Sequence, residues 1–154
     1  MRIDRGFEEL YRREHGAVFR AVHALFLDRS VAEEATQEAF ARALERWRRL
    51  RDQPWVAGWV TVTALNAARR SMRRSRIATA PEGPDDDPDR AMDLWRAVRA
   101  LPRRQQEAVV LRYVADFPLR EVASAMGCAE GTAKAHLARA RETLRSLLEG
   151  VRDE

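Results

Sequence analysis

The chain is 154 residues long, with 45% hydrophobic and 34% charged residues, a net charge of +4 and a sequence pI near 10.1. That is enough apolar material for one ordinary domain or two small ones, which excludes a globally disordered chain. The single cysteine, Cys128, excludes an internal disulfide, and no apolar run approaches the roughly 18 residues of a membrane span.

A first helix is predicted from Phe7, Leu10, Tyr11, Val18, Val22 and Phe26, which recur at three- and four-residue steps. Residues 1–10 are charged and lack the apolar stretch of a secretory signal; with the lone cysteine, this predicts a soluble intracellular protein. Ser30, followed three residues later by Glu33, has the spacing of a capping box and is expected to start a second helix running to Trp47. Asp52 and Pro54 are expected to open a third, with Trp55, Trp59, Val62 and Leu65 on one side.

Residues 80–88 read APEGPDDDP, a composition that no helix or strand survives. Charge follows the same division: +6 over residues 1–76, −4 over 77–92 and +2 over 93–154. Beyond this linker, Leu94, Val98 and Leu101 predict a short helix ended near Pro102, and another runs from there to about Val114. Pro118 starts a helix that Gly127 ends, and a last one covers about 130–149. No alternating strand pattern occurs. The expected fold is all-α: two small helical domains, 1–76 and 92–154, joined by a flexible acidic and proline-rich linker at 77–91.

From Leu119 the sequence reads LREVASAMGCAEGTAKAHLARARETLRSLL, the pattern of a helix-turn-helix. Ala123 supplies the small residue where the two helices touch, and Gly127 tolerates the positive φ of the turn. Val122, Met126, Cys128 and Ala133 fall at buried positions, so Cys128 reads as a small packed hydrophobe. Lys134, Ala135, Ala138 and Arg139 share one exposed side, with Arg141 and Arg145 following; the small alanines would let such a helix approach base edges. An ordinary helical hairpin with a solvated basic face is the alternative. Lys134 is the only lysine among 28 basic residues. Arginine forks suit phosphates and guanine edges, but a GC-rich genome would produce the same bias. His15, His23 and His136 lie too far apart to suggest a metal site. No P-loop, nucleophile elbow or glycine-rich cradle points to an enzyme or a cofactor.

Three stretches carry a resemblance. Residues 32–47 (AEEATQEAFARALERW) resemble the core-binding helix of extracytoplasmic-function sigma factors of the sigma-70 family, in particular the actinobacterial SigE-like group. Residues 54–76 (PWVAGWVTVTALNAARRSMRRSR) resemble that family's promoter-melting helix, and residues 101–141 its second DNA-binding domain, in the same order. The resemblance implies that Glu34, Gln37, Glu38 and Phe40 dock on the clamp-helix coiled coil of the RNA polymerase largest subunit. Taken alone, these residues read as a solvated acidic face with Phe40 in the core. It implies that Asn66 reads a flipped minus-ten base beside Trp59, and that Arg69, Arg70, Arg73, Arg74 and Arg76 contact phosphates. Those arginines also suit a solvated helix C-terminus. It further implies minus-thirty-five contacts by Arg120, Thr132, Lys134, Ala135, Ala138, Arg139 and Arg141.

The implied partners are core RNA polymerase, promoter DNA and an anti-sigma factor, with no cofactor and a cytoplasmic location. Two features depart from the family. Residues 48–53 form a longer, more basic loop, and Ala129 gives the recognition helix a weak N-cap. The competing functions are a stand-alone helix-turn-helix regulator and an adaptor that binds structured RNA; the four tryptophans sit at helical core spacing rather than on a stacking platform.

Overall fold

The computed structural model describes residues 2–75 and 90–152, which are helical and contain no strand. The first half is a three-helix bundle of α1 (Arg5–Phe26), α2 (Arg29–Glu45) and α4 (Val56–Ser75), with the single turn α3 (Trp47–Leu50) between the last two. Alanines at 32, 35, 39 and 43 line the buried side of α2, and their small side chains let α1 and α4 pack closely on either side of it. Val18, Val22, Val60 and Leu65 fill the space between.

Two helix starts differ from expectation. α2 is capped by Asp28, whose carboxylate accepts the Val31 backbone N–H at 3.1 Å, so Ser30 lies exposed inside the first turn. Glu33 turns to Arg29, one helical turn back, instead of closing a capping box. Asp28 prevails because α1 ends at Leu27, a left-handed residue with φ of 54°, leaving Asp28 extended and its side chain free to cap. α4 begins at Val56, and α2 stops at Glu45, so the presumed loop at 48–53 is partly the helical turn α3.

The second half contains α5 (Arg90–Arg99), α6 (Arg103–Val109), α7 (Leu119–Met126) and α8 (Glu130–Arg152). α5 starts inside the segment expected to be linker, which otherwise lies outside the described residues. Its inward side is Trp95 and Val98, with Leu101 buried just beyond the helix end, while Leu94 is exposed. α6 continues into one π-helical stretch, Val110–Val114, closed by the Ala115 N–H bonded to the Val110 carbonyl at 2.9 Å. The widened turn keeps Val110 and Leu111 buried and leaves Tyr113 and Val114 outside. α8 packs on α5, α6 and α7.

The two halves are in contact. α7 lies against α4 and α5 against α1, and the buried residues of both halves form one continuous core.

Candidate nucleic-acid interface

α7 and α8 make the helix-turn-helix. Pro118 precedes the first residue of α7, and Gly127 ends it with φ of 68° in the left-handed region. The Cys128 N–H then bonds to the Ala123 carbonyl at 3.0 Å, satisfying one of the helix's last acceptors. Val122, Ala123 and Met126 are buried, as are Ala133, Leu137 and Ala140 of α8; Cys128 is half-buried. This packing turns the other side of α8 outward. Thr132, Lys134, Ala138, Arg139, Arg141 and Arg145 are exposed, as is Arg120 on α7, and Ala135 is partly covered. Among the described residues none of these cations has a carboxylate partner within an ion-pair distance, so their charge faces solvent, as a phosphate- or base-contacting surface needs.

A second basic surface runs along α4. Arg73 and Arg74 are exposed near its end, and Arg76 lies outside the described residues. Arg70 leans onto α2, where its Nη2 meets Glu38 Oε2 at 3.1 Å. Trp59 is half-buried three turns before Arg70, with the Arg46 guanidinium 5.8 Å from its ring centroid. Asn66 and Arg69 are not free. Asn66 Oδ1 accepts a hydrogen bond from Arg69 Nη1 at 3.0 Å and another from Arg103 Nη2 of α6.

Arg69 reaches on into the second half. Its Nη1 also lies 3.0 Å from Glu107 Oε1, and its Nη2 donates to Gln106 Oε1 at 2.7 Å. Its side chain is only 11% exposed. Burial lowers its pKa below the usual guanidinium value, and the neighbouring Glu107 carboxylate pulls it back up. Glu107 itself is fully buried and gathers two more arginines from its own helix, Arg103 at 3.3 Å and Arg104 at 2.8 Å. Arg104 in turn donates to the Met126 carbonyl at 2.6 Å, holding α6 against the end of α7. Three guanidiniums on one buried carboxylate compensate the cost of removing it from water.

The α2 face divides. Glu34 and Gln37 are exposed, and Glu38 is half-exposed between Arg42 and Arg70. Phe40 is corrected from surface to core. It is 3% exposed and lies edge-on to Phe7 at 6.4 Å and Tyr11 at 5.0 Å. It is buried with the alanines of α2, one turn after the exposed Gln37.

Sequence reasoning passed over Arg103, Glu107 and Gly58. A signal existed for Glu107: Val110 and Leu111 follow at three and four residues, placing the carboxylate on the apolar side of its helix. Gly58, inside a predicted helix, also marked a close approach. Among the described residues no group of His, Cys, Asp or Glu side chains could hold a metal ion, and no helix is long and apolar enough to cross a membrane.

Comparison with known proteins bears on both surfaces. Residues 10–77 match the family model for Sigma-70 region 2, and residues 91–144 match the model for Sigma-70, region 4. The chain is 30% identical over 152 residues to the RNA polymerase sigma-E factor of Streptomyces coelicolor, an alignment covering 92% of this chain and 85% of the relative. It is also 30% identical to the ECF RNA polymerase sigma factor SigM of Mycobacterium tuberculosis, covering 92% of this chain and 76% of SigM. Its fold resembles the sigma factor RpoE of Bartonella quintana, solved with the anti-sigma factor NepR, at a TM-score of 0.72 and 23% identity, over 93% of this chain and 96% of that one.

Proposed function

The chain belongs to the extracytoplasmic-function sigma factors of the sigma-70 family and directs RNA polymerase to promoters, and on that premise we propose how its surfaces divide the task. The exposed Glu34, Gln37 and half-exposed Glu38 of α2 dock on core polymerase, where carboxylates and an amide suit arginine donors. α4 takes single-stranded minus-ten DNA, with Asn66 reading a base through its paired donor and acceptor and Trp59 beside it. Arg69, Arg70, Arg73 and Arg74 supply the phosphate contacts. α8 enters the major groove of the minus-thirty-five duplex through Thr132, Lys134, Ala135, Ala138, Arg139 and Arg141, and Arg120 of α7 contacts the backbone. The domain division follows: residues 1–76 for polymerase and the minus-ten element, 92–154 for the minus-thirty-five element.

The observation that carries this reading is the uncompensated basic side of α8, Lys134 and Arg139 flanking Ala135 and Ala138, on the same chain as the Asn66–arginine face of α4. Two weak grips joined through polymerase gain strength by effective concentration, so neither needs tight binding alone, and a recognition helix without a side-chain cap at Ala129 suffices. The chain works in the cytoplasm beside polymerase. By analogy with the NepR complex, an anti-sigma protein is a partner. The test is run-off transcription with core polymerase and genomic promoter fragments. Initiation only when the protein is added supports the reading; tight duplex binding with no initiation would mark a stand-alone regulator instead.

A further inference from the structure

A cavity of about 350 Å³ lies where the end of α1 meets the arginine end of α4 and the helices α5 and α6. Leu25, Phe26 and Met72 give it an apolar wall, and Arg69, Arg73 and Arg99 give it three guanidiniums. None of the described residues that line it is acidic. Small-molecule sites have this volume and this make-up, an apolar wall with a few convergent polar groups.

The three cations differ in the donors they have left. Arg69 is spent: its Nη1 is shared between Asn66 and Glu107, and its Nη2 goes to Gln106. Arg99, half-buried, gives Nη1 to the Ala24 carbonyl at 2.8 Å, which fixes its guanidinium against the end of α1. Its other donors meet no acceptor among the described residues, and exposed Arg73 bonds to none of them. Neither has a carboxylate within ion-pair distance there. Burial lowers the pKa of Arg99, and the like charge of Arg96 lowers it further. Positive charge is thus crowded around a space where part of its hydration has already been given up on folding. An anion entering there gains attraction with less desolvation still to come.

We propose that this cavity is a binding site for a small amphiphilic anion, its head group held by Arg99 and Arg73 and its apolar body lying against Leu25, Phe26 and Met72. The head is a carboxylate or a phosphate monoester, both of which match a guanidinium fork. The body is a short alkyl or aromatic group, to which the flexible thioether of Met72 adapts. An inorganic anion leaves the apolar wall unused, and a neutral ligand leaves both free guanidiniums unpaired, so the site selects against each.

Isothermal titration calorimetry of the full chain tests this with octanoate and octyl phosphate as probes. Acetate and 1-octanol are the controls, one lacking the apolar body and the other the charge. At least one charged probe should bind one to one, and the tighter of the two identifies the head group. Lengthening its chain from butyl to octyl should raise affinity about threefold per methylene, a little under full transfer because the cavity is partly open. Arg73→Gln, which breaks no bond to another described residue, and Arg99→Gln should each weaken binding about tenfold, the value of one charge-assisted hydrogen bond. Met72→Trp should fill the cavity and weaken binding at least as much. Circular dichroism checks the folds; should Met72→Trp fail to fold, the two arginine variants decide. No saturable binding of either charged probe below about 5 mM, the weak limit for ligands of this size, overturns the proposal. So does wild-type affinity in any of the folded variants, or acetate or 1-octanol binding as tightly as the charged probe.

Discussion

Arg69 on α4 and Glu107 on α6 are 38 residues apart in sequence and meet at 3.0 Å, an ion pair in which the carboxylate is fully buried. Charge leaves the two ends of this pair unequally supported. Glu107 keeps Arg103 and Arg104 if Arg69 is lost, whereas removing its charge leaves three guanidiniums crowded around a neutral group.

Glu107→Gln should therefore destabilise the protein by about 3 kcal/mol, the lower end for breaking a buried pair, because two of the three arginines can rehydrate. Arg69→Met should cost about half as much, near the ~1.5 kcal/mol of one charge-assisted hydrogen bond. Urea unfolding followed by circular dichroism compares them. Equal losses would mean that Arg103 and Arg104 do not support the carboxylate.

Two residues adopt left-handed backbone with opposite suitability. Gly127 has φ of 68° and open space around it; Leu27 has φ of 54° and an exposed side chain. Gly127→Ala should cost about 1 kcal/mol with no steric clash, while Leu27→Gly should stabilise by a similar ~1 kcal/mol. Thermal melts should move in opposite directions; a fall in Tm for Leu27→Gly would show that Leu27 packs in a way its exposure does not suggest.

Lys134→Ala and Arg139→Ala should weaken promoter binding while leaving polymerase binding intact. A lost guanine contact costs about 1–3 kcal/mol and relaxes specificity at one base pair. A lost phosphate contact instead weakens all sequences alike and flattens the salt dependence by about 0.9 in log–log slope. Fluorescence anisotropy of holoenzyme on promoter duplexes across a salt series separates these, and full binding by the double variant would refute the assignment of α8.

Glu38→Lys should abolish most polymerase binding while changing stability by less than about 1 kcal/mol, because Glu38 and its partners Arg42 and Arg70 are all substantially exposed. Co-purification with core enzyme, set beside a melting curve, reads both quantities. Retained binding would move the docking face off this part of α2.

Asn66→Ala should impair open-complex formation more than closed-complex binding, since single-stranded bases are available only after melting. Permanganate reactivity of the minus-ten thymines should fall while gel-shift affinity on duplex DNA holds. An unchanged permanganate pattern would count against Asn66 as a base reader.

What was legible in the sequence was local. Apolar steps of three and four marked α1 and α4, and Gly127 between two helical stretches marked the turn of the helix-turn-helix. Each of these signals arises within one element, from periodicity or from a φ that few residues adopt. The outward display of Lys134 and Arg139 follows in the same way, because Ala133, Leu137 and Ala140 commit the other side of α8 to the core.

Tertiary packing decided the rest. Phe40 is core because α1 brings Phe7 and Tyr11 to it, and Asp28 displaces Ser30 as a cap because of the way the chain leaves α1. Above all, that Asn66 and Arg69 are covered depends on α6 and α7 lying across α4. No periodicity within either half encodes that contact: it joins groups from opposite sides of a segment whose composition dictates no path, and its strength comes from charges whose burial exists only once the halves have closed.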